Sequence, residues 1–462
     1  MDATKTDPIA FGTDGWRATL DVFTDERVRI VAQAIADHLA AAGRSAPVFV
    51  GYDARESSEG FAEQIAEVLA GNGFEVLLPE RDVPTPVVAH AIVDRGLSGA
   101  CMVTASHNPP EYNGVKFIPH DGAPALPPVT DDIESRLREP DLCPPDERPP
   151  IRRCDPTIAH ADAVRDRIGT DLSGLTVVYD AMHGSGRGIT DRLLADAGAD
   201  VIRLRCDRDP TFGGTPPEPS AENLHTLADT VRERDADLGI ANDGDADRIA
   251  VATPDRGVVD ANHVFAAGYE FLLESHSGSA VRSVSTTFLI DRIAAAHGET
   301  VHETPVGFKW IAREMADHDA LFGGEESGGF SIRGHVREKD GVLVALLVAA
   351  ATREESLDDR LDRIAAEYGP VHTDRTSIPC PDDRKDAVMA GLSDRIPDDV
   401  LGREIDRVVT LDGFKLLLED GSWLLVRPSG TEPKLRIYAE SDDAARVEGL
   451  LSAGRDLIEP LV

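Results

Sequence analysis

The segment Leu97-Ser98-Gly99-Ala100-Cys101-Met102-Val103 runs directly into the polar loop Thr104-Ala105-Ser106-His107-Asn108-Pro109-Pro110. The first part is mostly apolar and is typical of a strand buried in a sheet. The Asn-Pro pair predicts a tight turn, so Ser106 should be displayed at the strand end rather than packed. A serine in that place suits a nucleophile or a phosphate carrier. The alternative is a hydroxyl that only caps the turn.

Strands and helices alternate on both sides of this segment. Residues 48–52 and 74–78 have strand-like β-branched patterns, whereas residues 61–69 have the three-and-four spacing of an amphipathic helix. The alternation restarts with a strand at residues 175–180. The pattern predicts α/β layers around largely buried sheets.

Two polar stretches that contain proline interrupt this pattern. Residues 138–156 are predicted to be a linker, and residues 370–383 precede a different kind of sequence. Short strand-like runs follow at residues 408–411, 414–418 and 423–426. These runs predict an antiparallel meander near the end of the chain.

The charge of the chain narrows the classes of function. It has 462 residues, of which 83 are acidic and 47 basic, and its net charge is −36. Such a surface repels nucleic acids and anionic membranes, so neither is expected as a partner. The acidity favours a cytosol with molar salt, of the haloarchaeal type, with an ordinary acidic enzyme as the alternative. The length predicts two to four domains.

The cysteines and the apolar runs predict where in the cell the protein is located. The five cysteines are scattered and match neither a zinc site nor a disulfide framework, as expected in a reducing compartment. The first residues lack the apolar core of a signal peptide. The longest apolar run, residues 341–351, is too short to span a bilayer and predicts a buried helix. We expect a soluble, cytoplasmic protein, either a monomer or a homo-oligomer.

A second polar loop, Asp243-Gly244-Asp245-Ala246-Asp247-Arg248, follows another predicted strand. Three carboxylates at alternate positions, separated by small residues, can converge on one hard cation. An EF-hand would need Gly at Arg248 and Glu at Pro254, so that interpretation fails. Mg²⁺ that is also coordinated by a phosphoryl oxygen fits better, and an Asp-rich turn without metal is the alternative.

Two further clusters suit a ligand that carries a phosphate and hydroxyl groups. Arg427-Pro428-Ser429-Gly430-Thr431 offers a guanidinium, two hydroxyls and a flexible backbone to a phosphate dianion, although a plain hairpin turn would look similar. In Gly324-Glu325-Glu326-Ser327 an acid and a hydroxyl two residues apart share one side of an extended chain. The glycine loop at residues 183–188 lacks dinucleotide-binding spacing and is predicted to be a structural turn.

These clusters, in this order, resemble the motifs of the phosphohexomutases, the phosphoglucomutase/phosphomannomutase family. The resemblance implies three similar mixed-sheet α/β domains and a smaller α+β domain around a central cleft. The implied domains are residues 1–150, 151–256, 257–370 and 371–462. The implied activity interconverts hexose 1-phosphate and hexose 6-phosphate through a phosphoserine, with Mg²⁺ as cofactor and hexose 1,6-bisphosphate as intermediate and activator.

The resemblance also assigns chemistry to individual residues. Phosphorylated Ser106 carries the transferred group. Four residues are implied as metal ligands: Ser106, Asp243, Asp245 and Asp247. Arg17 and Arg248 are expected near the transferred phosphoryl group. Either His107 or Lys116 is expected to act as the general base.

A second set of residues is expected to meet the sugar and the phosphate that is not transferred. The set comprises Gly307, Lys309, Glu325, Ser327, Arg427, Ser429, Gly430 and Thr431. Glu326 should point away from the sugar and be structural. Two positions depart from the family pattern, because Asp14 stands where Ser is common and Gly329 stands where some relatives carry His.

Other functions stay open. Phosphoglucosamine mutases share much of this motif set, and the choice between glucose and mannose is undecided. A sugar phosphatase would use the same nucleophile and let water complete the reaction. A non-catalytic sugar-phosphate sensor would need Arg427 and Glu325 but neither Ser106 nor the three aspartates, which argues against it.

Overall fold

The computed structural model describes residue 6 and residues 8–12, 14–430 and 432–462. The first domain contains a six-stranded mixed sheet. Its strands are β1 (Trp16–Thr19), β2 (Val48–Tyr52), β3 (Val76–Pro79), β4 (Gly99–Val103), β5 (Tyr112–Pro119) and β6 (Ile151–Cys154). They lie in the order β1-β5-β4-β2-β3-β6. The helices are α1 (Asp25–Ala41), α2 (Ser58–Gly71), α3 (Thr85–Arg95) and α4 (Pro127–Ser135).

The centre of this sheet is the part that the apolar pattern predicted. β2 and β4 are parallel neighbours, and every residue in both is buried. A strand covered on both faces reads as a continuous apolar run, which is why its bounds are visible in the sequence. Both strands end at the same edge of the sheet, and this edge places residues 53–55 beside the loop that carries Ser106.

The stretch predicted as a linker is partly a strand. β6 pairs in parallel with β3, so the first sheet extends to Cys154, past the predicted boundary at residue 150. Three of the four β6 residues are exposed. An edge strand that faces solvent needs no apolar pattern, and its charged residues resemble those of a linker.

The second and third domains continue the α/β pattern. The second has strands β7 (Thr176–Asp180), β8 (Asp200–Leu204), β9 (Leu238–Asn242), β10 (Ile249–Thr253) and β11 (Gly257–Val259), with helices α5 (Thr157–Ile168), α6 (Thr190–Asp196) and α7 (His225–Glu233). The third has strands β12 (Ala280–Ser283), β13 (Val301–Thr304), β14 (Phe322–Gly324) and β15 (Phe330–Ile332). Its helices are α8 (Ala261–Leu273), α9 (Leu289–Ala296), α10 (Phe308–His318), α11 (Gly341–Glu354) and α12 (Leu357–Tyr368). Both sheets mix parallel and antiparallel pairs.

The fourth domain is built on antiparallel strands. They are β16 (His372–Pro379), β17 (Asp399–Val400), β18 (Arg403–Val409), β19 (Phe414–Leu418), β20 (Trp423–Pro428) and β21 (Lys434–Ser441), with helices α13 (Asp382–Ser393) and α14 (Ala444–Ile458). The predicted meander is confirmed as β18 to β21. β16 lies within the polar stretch 370–383 and pairs with β21, so that stretch is not merely a boundary. The predicted architecture of three α/β domains and a C-terminal domain is confirmed.

Helix α11 joins the second and third domains. Nearly all of its residues are buried, as the apolar run 341–351 predicted. It packs in one hydrophobic core with strands of both domains, and Asp340 caps its N-terminus by accepting from the amides of Val342 and Leu343 at 2.9 and 2.8 Å. Among the described residues, no helix is long and apolar enough to cross a membrane.

Candidate active site

Ser106 lies just beyond β4, in the loop of residues 104–110, here called the serine loop. Its φ is +53°, a left-handed conformation that costs energy for a residue other than glycine. Its amide donates to Thr104 Oγ1 at 2.8 Å, and its hydroxyl donates to Asp243 Oδ2 at 2.7 Å. Ser106 is only 1% exposed. The expectation of a displayed serine is therefore wrong, because a loop of the second domain covers it.

A buried arginine holds the serine loop in this conformation. Arg55 follows β2, is 1% exposed and pairs through Nε with Asp53 Oδ2 at 3.0 Å. Its terminal nitrogens donate to four carbonyls, those of Ser106, Asn108, Pro109 and Tyr112. These bonds fix the backbone from Ser106 to Tyr112, which is how a strained serine can persist.

The loop of residues 243–248, the metal loop, lies against the serine loop. Asp243, Asp245 and Asp247 are buried, and their carboxylate oxygens converge within 4.8 Å of one another. The approach of the two loops needs Gly244, because a Cβ there would lie 2.6 Å from the Ser106 carbonyl oxygen. Gly184, in the predicted structural turn at 183–188, packs equally closely on Asp243. That turn supports the metal loop from behind.

The three aspartates fit a hard divalent cation. Within the described part of the chain, Asp245 Oδ1 and Asp247 Oδ1 are buried and lack a hydrogen-bond partner, so both have free lone pairs. Burial, together with the neighbouring carboxylates, raises the pKa of Asp243 well above its usual value. Burial also raises the pKa of Asp245, but the Lys116 ammonium, the hydrogen bond from Thr85 and the charges of Arg17 and Lys339 together outweigh burial and hold that pKa below its usual value. A bound cation would stabilise the ionised form of all three.

Two buried lysines complete the charge balance of the metal loop. Lys116 Nζ lies 3.2 Å from Asp245 Oδ2, 3.1 Å from Asp247 Oδ2 and 2.9 Å from Asp14 Oδ2. Lys339 Nζ lies 3.2 Å from Asp247 Oδ2 and 3.5 Å from Asp14 Oδ2. Burial lowers the pKa of Lys116, but these carboxylates outweigh it and raise that pKa well above its usual value. Lys116 is therefore an ammonium in this arrangement.

His107 belongs to the serine loop, and the charges of two arginines lie near it. His107 Nδ1 lies 3.3 Å from Ser106 Oγ. Burial lowers the pKa of His107 well below its usual value, and the charges of Arg248 and Arg17 lower it further. The imidazole is therefore neutral near pH 7 and can accept a proton. Arg17 donates to Asn108 Oδ1 at 3.2 Å, and the amide of Arg248 donates to Asp243 Oδ1 at 3.1 Å.

Two of the predicted sugar-binding residues, Gly307 and Glu325, are in contact at the start of α10. The loop of residues 304–309, the sugar loop, presents the amide of Gly307 to Glu325 Oε1 at 2.9 Å. Among the described residues Ser327 Oγ is buried without a hydrogen-bond partner, as a hydroxyl that awaits a ligand would be. Glu326 points away and accepts from the Ser283 and Ser285 hydroxyls at 3.2 and 2.8 Å. Lys309 is half-buried at the helix start.

The loop of residues 427–433, the phosphate loop, follows β20. Arg427 is 8% exposed and donates through Nε to Asp412 Oδ2 at 2.9 Å. Lys385 braces the loop by donating to the carbonyls of Ser429 and Glu432 at 2.5 and 2.7 Å. Three predicted residues are described, Arg427, Ser429 and Gly430, whereas Thr431 lies outside the described residues. No hydrogen bond or ion pair between described residues joins the phosphate loop to the serine loop.

Family models match the chain domain by domain. The matching descriptions are "Phosphoglucomutase/phosphomannomutase, alpha/beta/alpha" domain I at residues 8–142, domain II at 159–257, domain III at 260–368, and the C-terminal domain at 378–456. The chain belongs to the phosphoglucomutase/phosphomannomutase family. The resemblance drawn from its motifs is thereby confirmed, and the chain is an enzyme of the mutase class.

Individual members of this family resemble the chain over its length. A "Probable phosphoglucosamine mutase" of Methanopyrus kandleri is 33% identical over 98% of both chains, and a "Phosphopentomutase" of Thermococcus kodakarensis is 32% identical over 98% of both. The crystal structure of a "putative phosphomannomutase" from Thermus thermophilus superposes with a TM-score of 0.86 at 31% identity, covering 98% of this chain and 99% of that one. These relatives carry the names of three different sugar phosphates.

The side chain of Lys339 lies against Gly329, a position that departs from the family pattern. A Cβ on Gly329 would lie 2.4 Å from Lys339 Cδ, so the lysine stem lies directly over the glycine. Its ammonium then reaches Asp247 at the metal loop. The position of Lys339 therefore requires glycine at residue 329, because a larger side chain there would occupy the space of the lysine stem.

Three positively charged residues of this phosphohexomutase site were missed from the sequence, namely Arg55, Lys339 and Lys385. Each acts on a loop distant in sequence, so no local spacing marks it. The signal that the sequence offers is slight: Arg55 follows the Tyr52-Asp53 pair at the end of β2, and β7 ends in the same pair, Tyr179-Asp180. Lys434 directly follows the phosphate loop. It pairs with Glu432 at 2.6 Å and its side chain is 30% exposed, so it lies at the outer end of that loop.

Proposed function

We propose that the chain interconverts the 1-phosphate and 6-phosphate of a hexose, glucose or mannose, with phosphorylated Ser106 as the phosphoryl carrier. The observation that carries the proposal is the bond of 2.7 Å between Ser106 Oγ and Asp243, one of three convergent carboxylates. A hydroxyl fixed on a strained loop beside a cation site is what phosphoryl transfer needs. The separate phosphate loop provides a second anion site, which a mutase requires and a simple phosphatase does not.

In the first half-reaction, the bond between Ser106 Oγ and phosphorus breaks while phosphorus bonds to O6 of hexose 1-phosphate. The O6 proton passes to His107, whose neutral imidazole borders Ser106. At the end of the first half-reaction His107 returns this proton to the departing Ser106 Oγ. In the second half-reaction the bond between O1 and phosphorus breaks while phosphorus bonds to Ser106 Oγ. The Ser106 proton passes through His107 to O1, and hexose 6-phosphate leaves. Lys116, the other candidate base, is held as an ammonium and instead stabilises negative charge.

Between the half-reactions the hexose 1,6-bisphosphate must turn around. Arg427, Ser429, Gly430 and Thr431 are proposed to hold whichever phosphate is not reacting. Glu325 and Ser327 are proposed to bind sugar hydroxyls in both orientations, with Gly307 and Lys309 beside them. Arg17 and Arg248 border the transferring group. Because these contacts do not read C2 closely, both glucose and mannose can fit.

Mg²⁺ is the proposed cofactor, held by Asp243, Asp245, Asp247 and a phosphoryl oxygen on Ser106. The supporting observation is the pair of unpartnered carboxylate oxygens in the described metal loop. When bound, the ion neutralises charge on the transferring phosphoryl group. Phosphoglucosamine is the second candidate substrate, because a relative of that name is 33% identical over nearly the whole chain.

The charge of −36 further supports a salt-rich cytoplasm as the proposed setting. Unfolding midpoints measured from 0.1 to 3 M KCl should rise with salt, because counterions screen the self-repulsion of the acidic surface. A midpoint that is constant or falls with KCl would contradict this part of the proposal.

The central experiment is phosphorus NMR with Mg²⁺ and a trace of hexose 1,6-bisphosphate. Glucose, mannose and glucosamine 1-phosphates are supplied in parallel, with ribose 1-phosphate as a pentose comparison. A growing hexose 6-phosphate signal without free phosphate supports the mutase, and relative rates name the substrate. Accumulating free phosphate indicates a phosphatase, and no change with any sugar overturns the proposal. Ser106→Ala is the control and should abolish the conversion.

A further inference from the structure

A single carboxylate joins the sugar loop to the phosphate loop. Asp412 lies in the turn between β18 and β19, in the fourth domain. Its Oδ2 accepts from the amide of Val306 in the third domain at 3.1 Å and from Arg427 Nε at 2.9 Å. The two loops that bind different parts of the proposed substrate therefore share one acceptor atom.

The fit of this turn against the phosphate loop is tight. Gly413 has φ +88°, and a Cβ there would lie 2.3 Å from the Val426 carbonyl oxygen and 2.8 Å from Arg427 Cα. Only glycine permits both the conformation and the approach. Asp412 is thereby held at a fixed place beside Arg427 rather than at the end of a loose turn.

The sugar loop is bound from two sides. Val306 donates its amide to Asp412, and the next amide, that of Gly307, donates to Glu325 Oε1 at 2.9 Å. Glu325 is the proposed ligand of the sugar hydroxyls. The position of the sugar loop thus depends on two carboxylates. Glu325 is the one proposed to bind hydroxyls, and Asp412 is the one that orients Arg427.

The bond to Asp412 also orients the guanidinium. It uses Nε, and among the described residues no hydrogen bond is made by the two terminal nitrogens of Arg427. Those nitrogens form the fork that binds a phosphate in two places. An acid on Nε fixes the plane of the fork and leaves its open side to the ligand.

Asp412 is not needed to dock the fourth domain on the third. Lys415 Nζ donates to the Val284 carbonyl at 2.7 Å, and Glu440 accepts from the amide of Phe288 at 3.1 Å. Thr373 Oγ1 accepts from Asn262 Nδ2 at 3.2 Å elsewhere in the same interface. Removal of the Asp412 carboxylate should therefore leave the interface formed and alter only the two loops.

We propose that Asp412 is a positioning residue that couples the sugar loop to the phosphate loop, so that hydroxyl recognition and phosphate binding occur as one event. The inference rests on the mutase function proposed above. Its consequence is retention of the bisphosphate: when a turning intermediate rebinds at one loop, the other loop is restored with it, so the intermediate is recaptured before it leaves. Without Asp412, each loop binds its own part of the ligand, and the intermediate escapes more often.

The kinetic test compares Asp412→Ala and Asp412→Asn with wild type, and uses Thr373→Ala as a control that removes the side-chain hydrogen bonds to Asn262 and Asp260 in the same interface. Asp412→Ala should raise KM for hexose 1-phosphate about tenfold, the effect of losing a hydrogen bond to a charged group. It should also release hexose 1,6-bisphosphate and need a continuous supply of it. Asp412→Asn keeps an acceptor for Val306 and should be intermediate, and Thr373→Ala should match wild type. Equal KM and bisphosphate release in Asp412→Ala and Thr373→Ala would overturn the inference.

A second measurement needs no turnover and separates the two proposals. Hydrogen exchange of residues 304–309 is followed with and without inorganic phosphate as the probe. In the wild type, phosphate at Arg427 should slow exchange in the sugar loop, and in Asp412→Ala this effect should disappear. An effect of equal size in both proteins, or in neither, refutes the coupling. If the coupling is present but no sugar phosphate is converted, the mutase proposal alone has failed.

Discussion

Replacement of Arg55 by Met would test how the serine loop is held. Methionine keeps much of the length of the side chain and removes every hydrogen bond that the guanidinium makes. The loop loses donors to four carbonyls, and Asp53 becomes a buried carboxylate without its cation. Asp53 still accepts from the Ser58 and Thr104 hydroxyls, at 2.6 and 2.7 Å, so it is not stripped of all partners.

The expected loss of stability in Arg55→Met follows from these contacts. Removal of one partner from a buried ion pair costs about 3–5 kcal/mol. The hydrogen bonds to the carbonyls are part of the same loss and are not added separately, because bonds made by one group are not independent. We therefore expect Arg55→Met to destabilise the first domain by about 3–5 kcal/mol. A shift of Ser106 by about 1 Å should lower turnover about 100-fold.

The assay measures hydrogen exchange and catalytic turnover on the same variants. Hydrogen exchange of residues 104–112 reports the loop, and hexose 6-phosphate formation reports the chemistry. Arg55→Lys keeps the charge but not the fork and should lie between wild type and Arg55→Met. Arg360→Met, which removes another buried arginine from its pairs with Glu270 and Glu274, should destabilise the third domain without faster exchange at 104–112. Exchange and turnover of Arg55→Met within twofold of wild type would refute the reasoning.

Three other substitutions test separate parts of the structure. Gly329→His should abolish turnover, because even its Cβ lies 2.4 Å from Lys339 Cδ, and a wild-type kcat would show that the lysine is dispensable. Asp245→Asn should weaken Mg²⁺ binding more than about tenfold by calorimetry, and unchanged affinity would place the ion elsewhere. Burial lowers the pKa of His90 to about 4 from its ordinary 6.5, so the unfolded chain takes up this proton first and stability falls as pH drops from about 6.5 to 4. His90→Leu should lose less stability across that window in urea titrations at pH 7 and pH 4, and equal losses would contradict the assignment.

The sequence predicted best the elements that are buried on both sides. Residues 48–52 coincide with β2, and the run at 341–351 lies within α11, because full burial leaves a continuous apolar pattern. The edge strands β6 and β16 were not predicted, because they are not buried on both sides and so lack a continuous apolar pattern. Their outer residues face solvent and are free to be charged, so they resemble linkers.

The candidate site shows a similar division. The serine, metal and phosphate loops could be found because each concentrates its chemistry within a few residues. Arg55 and Lys339 could not, because Arg55 acts on carbonyls more than fifty positions away and Lys339 acts across a domain boundary. The burial of Ser106 was also missed, since it depends on a loop 137 positions distant.

The hydrophobic cores divide the chain differently from its four sheets. The second and third domains share one core, from Val164 to Val371, with α11 running through it. The fourth domain has a core of its own, from Ile378 to Val462. Recombination between relatives is therefore expected to tolerate a crossover near residue 370 better, because among the described residues only a small hydrophobic cluster crosses that boundary, in which Val284 packs on Leu417, Trp423, Leu425 and Tyr438. A crossover near residue 257 would cut through a common interior, so the second and third domains must be inherited together.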